Sequence, residues 1–181
     1  LQGIMGKYFA LVQGFDEDVA NAVSDHYLPT GLSSSVPKKP LSYAISIIDK
    51  LDSLVGFFLI NEKPTSSKDP FALRRAAIGL LRIIIDNNLE LKLKDLISYA
   101  IRLYVDQGVK IENNQAEKEI LDFLKERMRN ILKEKKIKLD IVEAAISSHI
   151  GDNYLILYKK SIVMNKNFNK DIGKDAIYSF K

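Results

Sequence analysis

The spacing of apolar residues constrains the fold of this chain more than any other sequence feature. Apolar side chains recur every three or four positions along several segments, which places them on one face of an α-helix. The clearest run is in residues 114–135, whose buried side is predicted to hold Ile120, Leu124, Met128 and Ile131. No long segment alternates apolar and polar residues as a half-buried strand does. The chain is therefore predicted to be all-α.

Capping residues and prolines predict where individual helices begin. Asp16 is placed to cap a helix that runs to about His26, and Pro40 suits the first turn of another. Asp69 followed by Pro70 has the form of an N-cap with proline at the first helical position. The predicted helical segments are residues 1–13, 16–26, 40–59, 70–87, 93–107, 114–135, 140–148 and 152–165.

The helix predicted over residues 70–87 combines large and small residues on its buried side. The small residues Ala76, Ala77 and Gly79 would allow a neighbouring helix to approach closely. The large apolar residues expected in the core are Leu73, Leu80, Leu81 and Ile84.

One predicted helix carries an acidic residue, Asp52, within an apolar face, and Asp49 lies three residues away. A carboxylate among apolar side chains is costly unless it is paired or binds something. We expect Asp49 and Asp52 to form structural ion pairs with Arg74 or Arg75 on the following helix. The alternative is that the two carboxylates share a metal ion or act as an acid–base pair. The face consists of Leu41, Ile45, Ile48, Asp52, Val55 and Leu59.

Several classes of site are excluded by what the sequence lacks. There is no cysteine, so disulfides and thiolate metal sites are impossible. No run of about 18 apolar residues predicts a membrane span. No glycine-rich phosphate loop and no Ser-His-Asp or Cys-His arrangement is present. The two histidines, His26 and His149, are therefore interpreted as structural residues rather than metal ligands or general bases.

Basic residues are concentrated in the second half of the chain. Residues 1–90 hold nine basic and ten acidic side chains, whereas residues 91–181 hold 18 and 13. A basic surface favours an anionic partner. Four cations share one side of the helix predicted over residues 114–135 and could lie along RNA phosphates; the alternative is a solvated face in a lysine-rich chain. These are Lys125, Arg129, Lys133 and Lys136, with Arg127, Lys135 and Lys138 nearby.

Three segments together resemble the central region of the β subunit of bacterial two-subunit glycyl-tRNA synthetases. They are LQGIMG at 1–6 running into Tyr8, HYLP at 26–29, and DKLDSLVG at 49–56 joined to SKDPFALRRAA at 67–77. The resemblance is close as far as about Leu96. Beyond that residue it is one of pattern, with a loose match at DIVEAA, residues 140–145.

The resemblance implies an internal fragment of a larger cytoplasmic enzyme. Residues 1–108 resemble the C-terminal part of an HD-like helical domain, and residues 109–181 the basic helical region that follows it. In such enzymes the α subunit carries out the glycine and ATP chemistry, while the β subunit binds tRNA(Gly) in a whole enzyme expected to be α2β2. The fragment is accordingly expected to have no catalytic residue, metal or cofactor of its own, with Lys125, Arg129, Lys133 and Lys136 as its tRNA-binding residues.

The same region resembles the HD phosphohydrolase superfamily, whose members bind a divalent metal through histidines and aspartates. Asp49 matches the later aspartate of that pattern, but the signature His-Asp doublet is absent from this chain, because Tyr27 follows His26 and Ile150 follows His149. A metal-dependent phosphohydrolase acting on a nucleotide or phosphate ester is therefore the alternative function. A third possibility is a purely architectural spacer between flanking domains.

Overall fold

The chain folds into helices joined by short loops. The computed structural model describes residues 3–31, 34–148 and 151–168, and Leu1, His149 and residues 169–181 lie outside the described residues. Within these ranges there is no strand, so the all-α prediction is confirmed, while the HD-like arrangement stays a prediction. The helices are α1 (Ile4–Val12), α2 (Glu17–Asp25), α3 (Pro40–Leu59), α4 (Leu73–Asp86), α5 (Leu93–Asp106), α6 (Ala116–Glu134), α7 (Leu139–Ser147) and α8 (Tyr154–Phe168).

The first two helices form a hairpin, and its predicted cap is confirmed. The side chain of Asp16 accepts the backbone N–H of Asp18 at 2.7 Å. Such a cap contributes about 1 kcal/mol. Helix α1 packs against α2 and leaves most of its apolar side chains exposed, with Val12 86% exposed. An exposed apolar surface of this kind is typical of an interaction site.

The beginning of α4 differs from the prediction. Pro70 is predicted at the first helical position, but the helix begins at Leu73, after Ala72 with a left-handed φ of +55°. Asp69 nevertheless caps the helix, because its carboxylate accepts the N–H groups of Leu73 at 2.8 Å and Arg74 at 3.0 Å. The intervening residues form a turn that lets the capping side chain reach the first helical turn from four positions upstream.

One hydrophobic core connects α3 to α8. Helix α4 lies at its centre and packs against α3, α6 and α8. The predicted buried side of α6 is confirmed, with Ile120, Leu124, Met128 and Ile131 all buried. Residues on both sides of position 108 therefore share this core. Its fully buried members include Leu54, Leu80, Leu81, Ile84, Ile97, Leu124 and Tyr154.

Helix α3 faces the core with a different side from the predicted one. Ile48 is 60% exposed, and Leu41 and Ile45 are also exposed. The side that packs against α2 carries Ser46 and Lys50. Ser46 is one position after exposed Ile45, and Lys50 is two positions after exposed Ile48. One residue corresponds to about 100° of rotation in an α-helix, so the expected apolar face turns towards solvent. Val55 and Leu59 are buried as predicted.

A buried lysine, Lys50, lies at the contact between α3 and α4. Its ammonium group donates to the carbonyl oxygen of His26 at 3.0 Å and to Ser46 Oγ at 2.9 Å. Burial lowers the pKa of Lys50. Its stem lies against Gly79, where an added Cβ would be 2.9 Å from Lys50 Cε. Gly79 thus makes room for the Lys50 side chain of the neighbouring helix α3.

A second polar contact joins α3 to α5. The phenol of Tyr104 donates a hydrogen bond of 2.9 Å to Asp52 Oδ1. Burial raises the pKa of Tyr104 to about 12, and the hydrogen bond and negative charge of Asp52 act in the same direction. Gly56 makes room for this contact, since a Cβ there would lie 2.6 Å from the phenol oxygen.

Replacing Gly79 with alanine should destabilise the chain. The new methyl group would overlap Lys50, at a cost of about 1–3 kcal/mol, and over most of that range the cost exceeds the gain of about 1 kcal/mol in helix propensity. The cost should shrink when Lys50 is also changed to alanine, because the overlapping atoms are gone. Urea denaturation of the single and double variants measures this coupling. Equal costs of Gly79→Ala in both backgrounds would contradict the close contact.

Replacing Asp52 with asparagine should lower the pKa of Tyr104, because the phenol no longer donates to a charged acceptor. The pKa should stay above 10.0, the ordinary tyrosine value, since the burial remains. In the parent chain, the stability contributed by protonated Tyr104 is present below pH 10 and is lost as pH rises towards 12. Ultraviolet titration tests this, with Tyr104→Phe identifying the step and exposed Tyr99→Phe as the control. A step that does not move in Asp52→Asn would refute the assignment.

Candidate nucleic-acid interface

The four cations predicted to bind RNA lie along α6 and just beyond its end. Lys125 has a 40% exposed side chain, with its Nζ 4.0 Å from Asp122 Oδ1. Lys133 is exposed in the last turn of the helix. Lys136 lies beyond the helix end, with a left-handed φ of +58°. The row is therefore helical only as far as Lys133.

Arg129, one of the four predicted tRNA-binding cations, is paired with an acid in this structure. Its Nε and Nη2 donate to the two carboxylate oxygens of Glu143 on α7, at 2.7 and 2.9 Å. This contact raises the pKa of Arg129 and lowers that of Glu143. A two-bond pair of this geometry holds both side chains in place. The basic row is therefore interrupted in the middle, because the turn between α6 and α7 brings an acid beside it.

A basic surface lies at the C-terminal end of α6. Four exposed lysines lie there with two exposed acids of the same segment, Glu134 and Asp140, and a third exposed acid, Asp86 of α4, lines a cavity together with Lys135. Cations at a helix C-terminus are also favoured by the helix dipole. Together these side chains form the α6 basic end: Lys133, Lys135, Lys136 and Lys138.

Arg127 does not belong to this surface, although it is close in sequence. It is buried, its guanidinium lies 4.9 Å from the ring centroid of Phe123, and Nη2 lies 2.7 Å from Glu126. The guanidinium is thus used within the protein, as a stacked and paired group.

A second group of cations surrounds a cleft beside the first turn of α4. The cleft has a volume of about 380 Å³. Arg75 is exposed, whereas Arg74 is partly buried, donates to the carbonyl oxygen of Thr65 and lies 3.9 Å from Asp69. The lining residues are Pro29, Gly31, Asp69, Ala72, Arg74, Arg75, Ile78 and Gly79.

The structure does not bring Asp49 and Asp52 together with Arg74 and Arg75. Both aspartates are exposed, and Asp52 accepts its hydrogen bond from Tyr104 on α5. Because α3 is rotated relative to the prediction, its acids point away from α4 and need no buried partner. Over residues 3–31, 34–148 and 151–168, no three His, Asp or Glu side chains are grouped to hold a metal ion.

Two structural residues of this region are not evident from the sequence. Ser46 donates to the carbonyl oxygens of His26 and Leu28, at 3.0 and 2.6 Å, and Lys50 donates to the first of these. His26 contributes through its backbone, while its ring contacts that of Tyr27. The available signal is the spacing of Ser42, Ser46 and Lys50, which repeats every four residues.

No helix in the described part of the chain is long and apolar enough to cross a membrane.

Comparison with known proteins identifies the family. A family model described as Glycyl-tRNA synthetase beta subunit matches residues 1–147. The chain is 37% identical to the Glycine–tRNA ligase beta subunit of Cereibacter sphaeroides and 41% identical to that of Rickettsia canadensis, over all 181 residues. A third relative, from Colwellia psychrerythraea, is 44% identical over 147 residues, which are 81% of this chain and 21% of the relative.

These alignments cover 26% of the first two relatives, so the chain spans about a quarter of their length. The similarity to those two extends along the whole chain, beyond the segment up to Leu96 in which the motifs are concentrated. The chain belongs to the family of glycyl-tRNA synthetase β subunits.

Proposed function

We propose that this chain is a tRNA-holding part of a glycine–tRNA ligase, in which an α subunit attaches glycine to tRNA(Gly) at the expense of ATP. The observation that carries the proposal is the α6 basic end, four exposed lysines on a rigid helical core, in a member of the β-subunit family. The complete enzyme would pair two α with two β subunits.

The contribution of this region is electrostatic. Lysines that neutralise phosphates release counterions, which gives affinity without sequence preference and makes binding sensitive to salt. Double-helical RNA is recognised mainly through its shape, phosphates and 2′-hydroxyls, so lysine contacts suit its backbone. Such contacts fix the position of the tRNA while the α subunit reacts with its acceptor end. We assign no catalytic role to any residue of this region.

The proposed tRNA contacts remain Lys125, Arg129, Lys133 and Lys136, but these side chains are not equally available to a phosphate. The lysines at the end of α6 are available as the chain stands, whereas Arg129 is held by Glu143 and would have to exchange its partner. Lys135 and Lys138 join the proposed surface because both are exposed beside Lys136.

Changing Lys125, Arg129, Lys133 and Lys136 together to glutamine in the complete β subunit, assembled with its α partner, should raise the KM for tRNA by about tenfold. That factor corresponds to a loss of about 1.4 kcal/mol. The slope of log affinity against log salt concentration should decrease in magnitude by about one for each phosphate that is no longer neutralised. Glycine activation by ATP, measured in parallel, should not change.

A matched control removes the same number of charges elsewhere. Lys92, Lys94, Arg102 and Lys110 are exposed and lie outside α6, so their change to glutamine should leave the KM for tRNA unaltered. Equal effects of the two quadruple variants would show that the KM for tRNA responds only to the net charge of the chain. An unchanged KM in the first variant would refute it.

Changing Glu143 to glutamine should strengthen tRNA binding. The neutral amide no longer compensates Arg129, so one more positive charge becomes available on α6, and the KM for tRNA should fall. Glu112→Gln removes the same charge beside Lys110, away from this surface, and serves as the control. A KM that falls equally in the control, or that rises in Glu143→Gln, would show that Arg129 does not face the tRNA.

A further inference from the structure

We propose that the cleft beside the first turn of α4 binds a phosphorylated nucleotide unit, with its phosphate held by Arg74 and Arg75. The cleft lies on a different surface from the α6 basic end and is carried by other residues. The phosphate could belong to a strand of RNA or to a free nucleotide, and the chemistry of recognition is the same for both.

The charges at the cleft favour an anion. Arg74 and Arg75 line it, and buried Lys50 lies directly behind the lining residue Gly79. Lys50 has two hydrogen-bond acceptors, a carbonyl oxygen and a hydroxyl, and both are uncharged. The positive charges that line the cleft itself are those of Arg74 and Arg75. Arginine is well suited to phosphate, because its planar guanidinium can donate two parallel hydrogen bonds.

Among the described residues that line the cleft, Asp69 is the acidic one, and its charge is already engaged. Both carboxylate oxygens accept backbone N–H groups, from Leu73 and Arg74, at the positive end of the α4 dipole. Arg74 Nη1 lies 3.9 Å from one of them. Two cations, Arg74 and Arg75, thus line the cleft together with one carboxylate that already accepts two backbone N–H groups.

The remaining lining suits the sugar or base of a nucleotide. Pro29, Ala72 and Ile78 contribute apolar surface next to the arginines. A volume of about 380 Å³ lies within the range of small-molecule sites, roughly 300–1,000 Å³, and exceeds what a bare phosphate needs. Apolar walls with a few polar groups converging on one side are typical of such sites.

The walls of the cleft are held in place before any ligand binds. Arg82 donates to the carbonyl oxygens of Gly31 and Ser34, both at 2.7 Å, and so fastens the loop that contributes Gly31. Ser46 and Lys50 fix the carbonyl groups just before Pro29. A preformed site of this kind loses little conformational entropy on binding.

The test is a titration of the 181-residue chain with adenosine monophosphate, inorganic phosphate and tRNA, followed by the arginine Nε–H resonances in NMR spectra. We expect adenosine monophosphate to shift the resonances of Arg74 and Arg75. Its affinity should fall at least fivefold in Arg75→Gln, whose exposed side chain has no structural partner among the described residues. Arg74→Gln should behave alike, and Arg102→Gln, exposed on α5, should not change the affinity.

The three probes distinguish an RNA strand from a free nucleotide as the source of the bound phosphate. Competition between tRNA and adenosine monophosphate at these resonances assigns the site to an RNA strand, and binding of the mononucleotide without competition assigns it to a free nucleotide. Absence of shifts with all three probes, or an affinity for adenosine monophosphate that is unchanged in Arg75→Gln, would overturn the proposal. Mononucleotide binding should stay intact when glutamine replaces Lys125, Arg129, Lys133 and Lys136. A failure of the proposed tRNA surface on α6 can therefore be distinguished from a failure of the cleft proposal.

Discussion

The polar contacts of Ser46 and Lys50 with the segment before Pro29 are the constraint on which much of this structure depends. A loop that passes between packed helices buries backbone carbonyl groups away from water, and each buried carbonyl oxygen needs a hydrogen-bond donor. Ser46 and Lys50 supply those donors to His26 and Leu28. In doing so they fix the side of α3 that faces α2, place Pro29 beside α4, and require glycine at position 79.

The same contacts explain which parts of the fold are predictable. Helix ends depend on local chemistry, so the cap at Asp16 and the proline at the start of α3 are evident from the sequence. The buried side of α6 is predictable because, apart from Arg127, it is apolar. The buried side of α3 is not, because its serine and lysine serve a distant loop, while Ile48 on the opposite side is exposed. Periodicity measures hydrophobicity and does not detect such polar contacts.

The sequence predicts which residue types form the candidate site, but it does not predict which of those side chains are paired with an acid in the fold. The sequence places Lys125, Arg129 and Lys133 on one side of a helix, and the structure agrees. Only the fold can show that Glu143 lies against Arg129, since the pairing depends on the angle at which α7 leaves α6. Sequence spacing therefore identifies the cations, while tertiary contacts decide which of them remain available to an anion.

Helix α4 connects the two basic surfaces. Its first turn carries the arginines of the cleft, and its C-terminal half, at Ile85, lines a small cavity together with Ile131 and Lys135 at the end of α6. About ten residues separate Arg75 from Ile85, which is about 15 Å along a helix. Because α4 is buried in the shared core, this spacing is fixed by packing and does not depend on loops. An extended polyanion that contacted both surfaces would meet a rigid pair of sites, whereas a mononucleotide would engage the cleft alone.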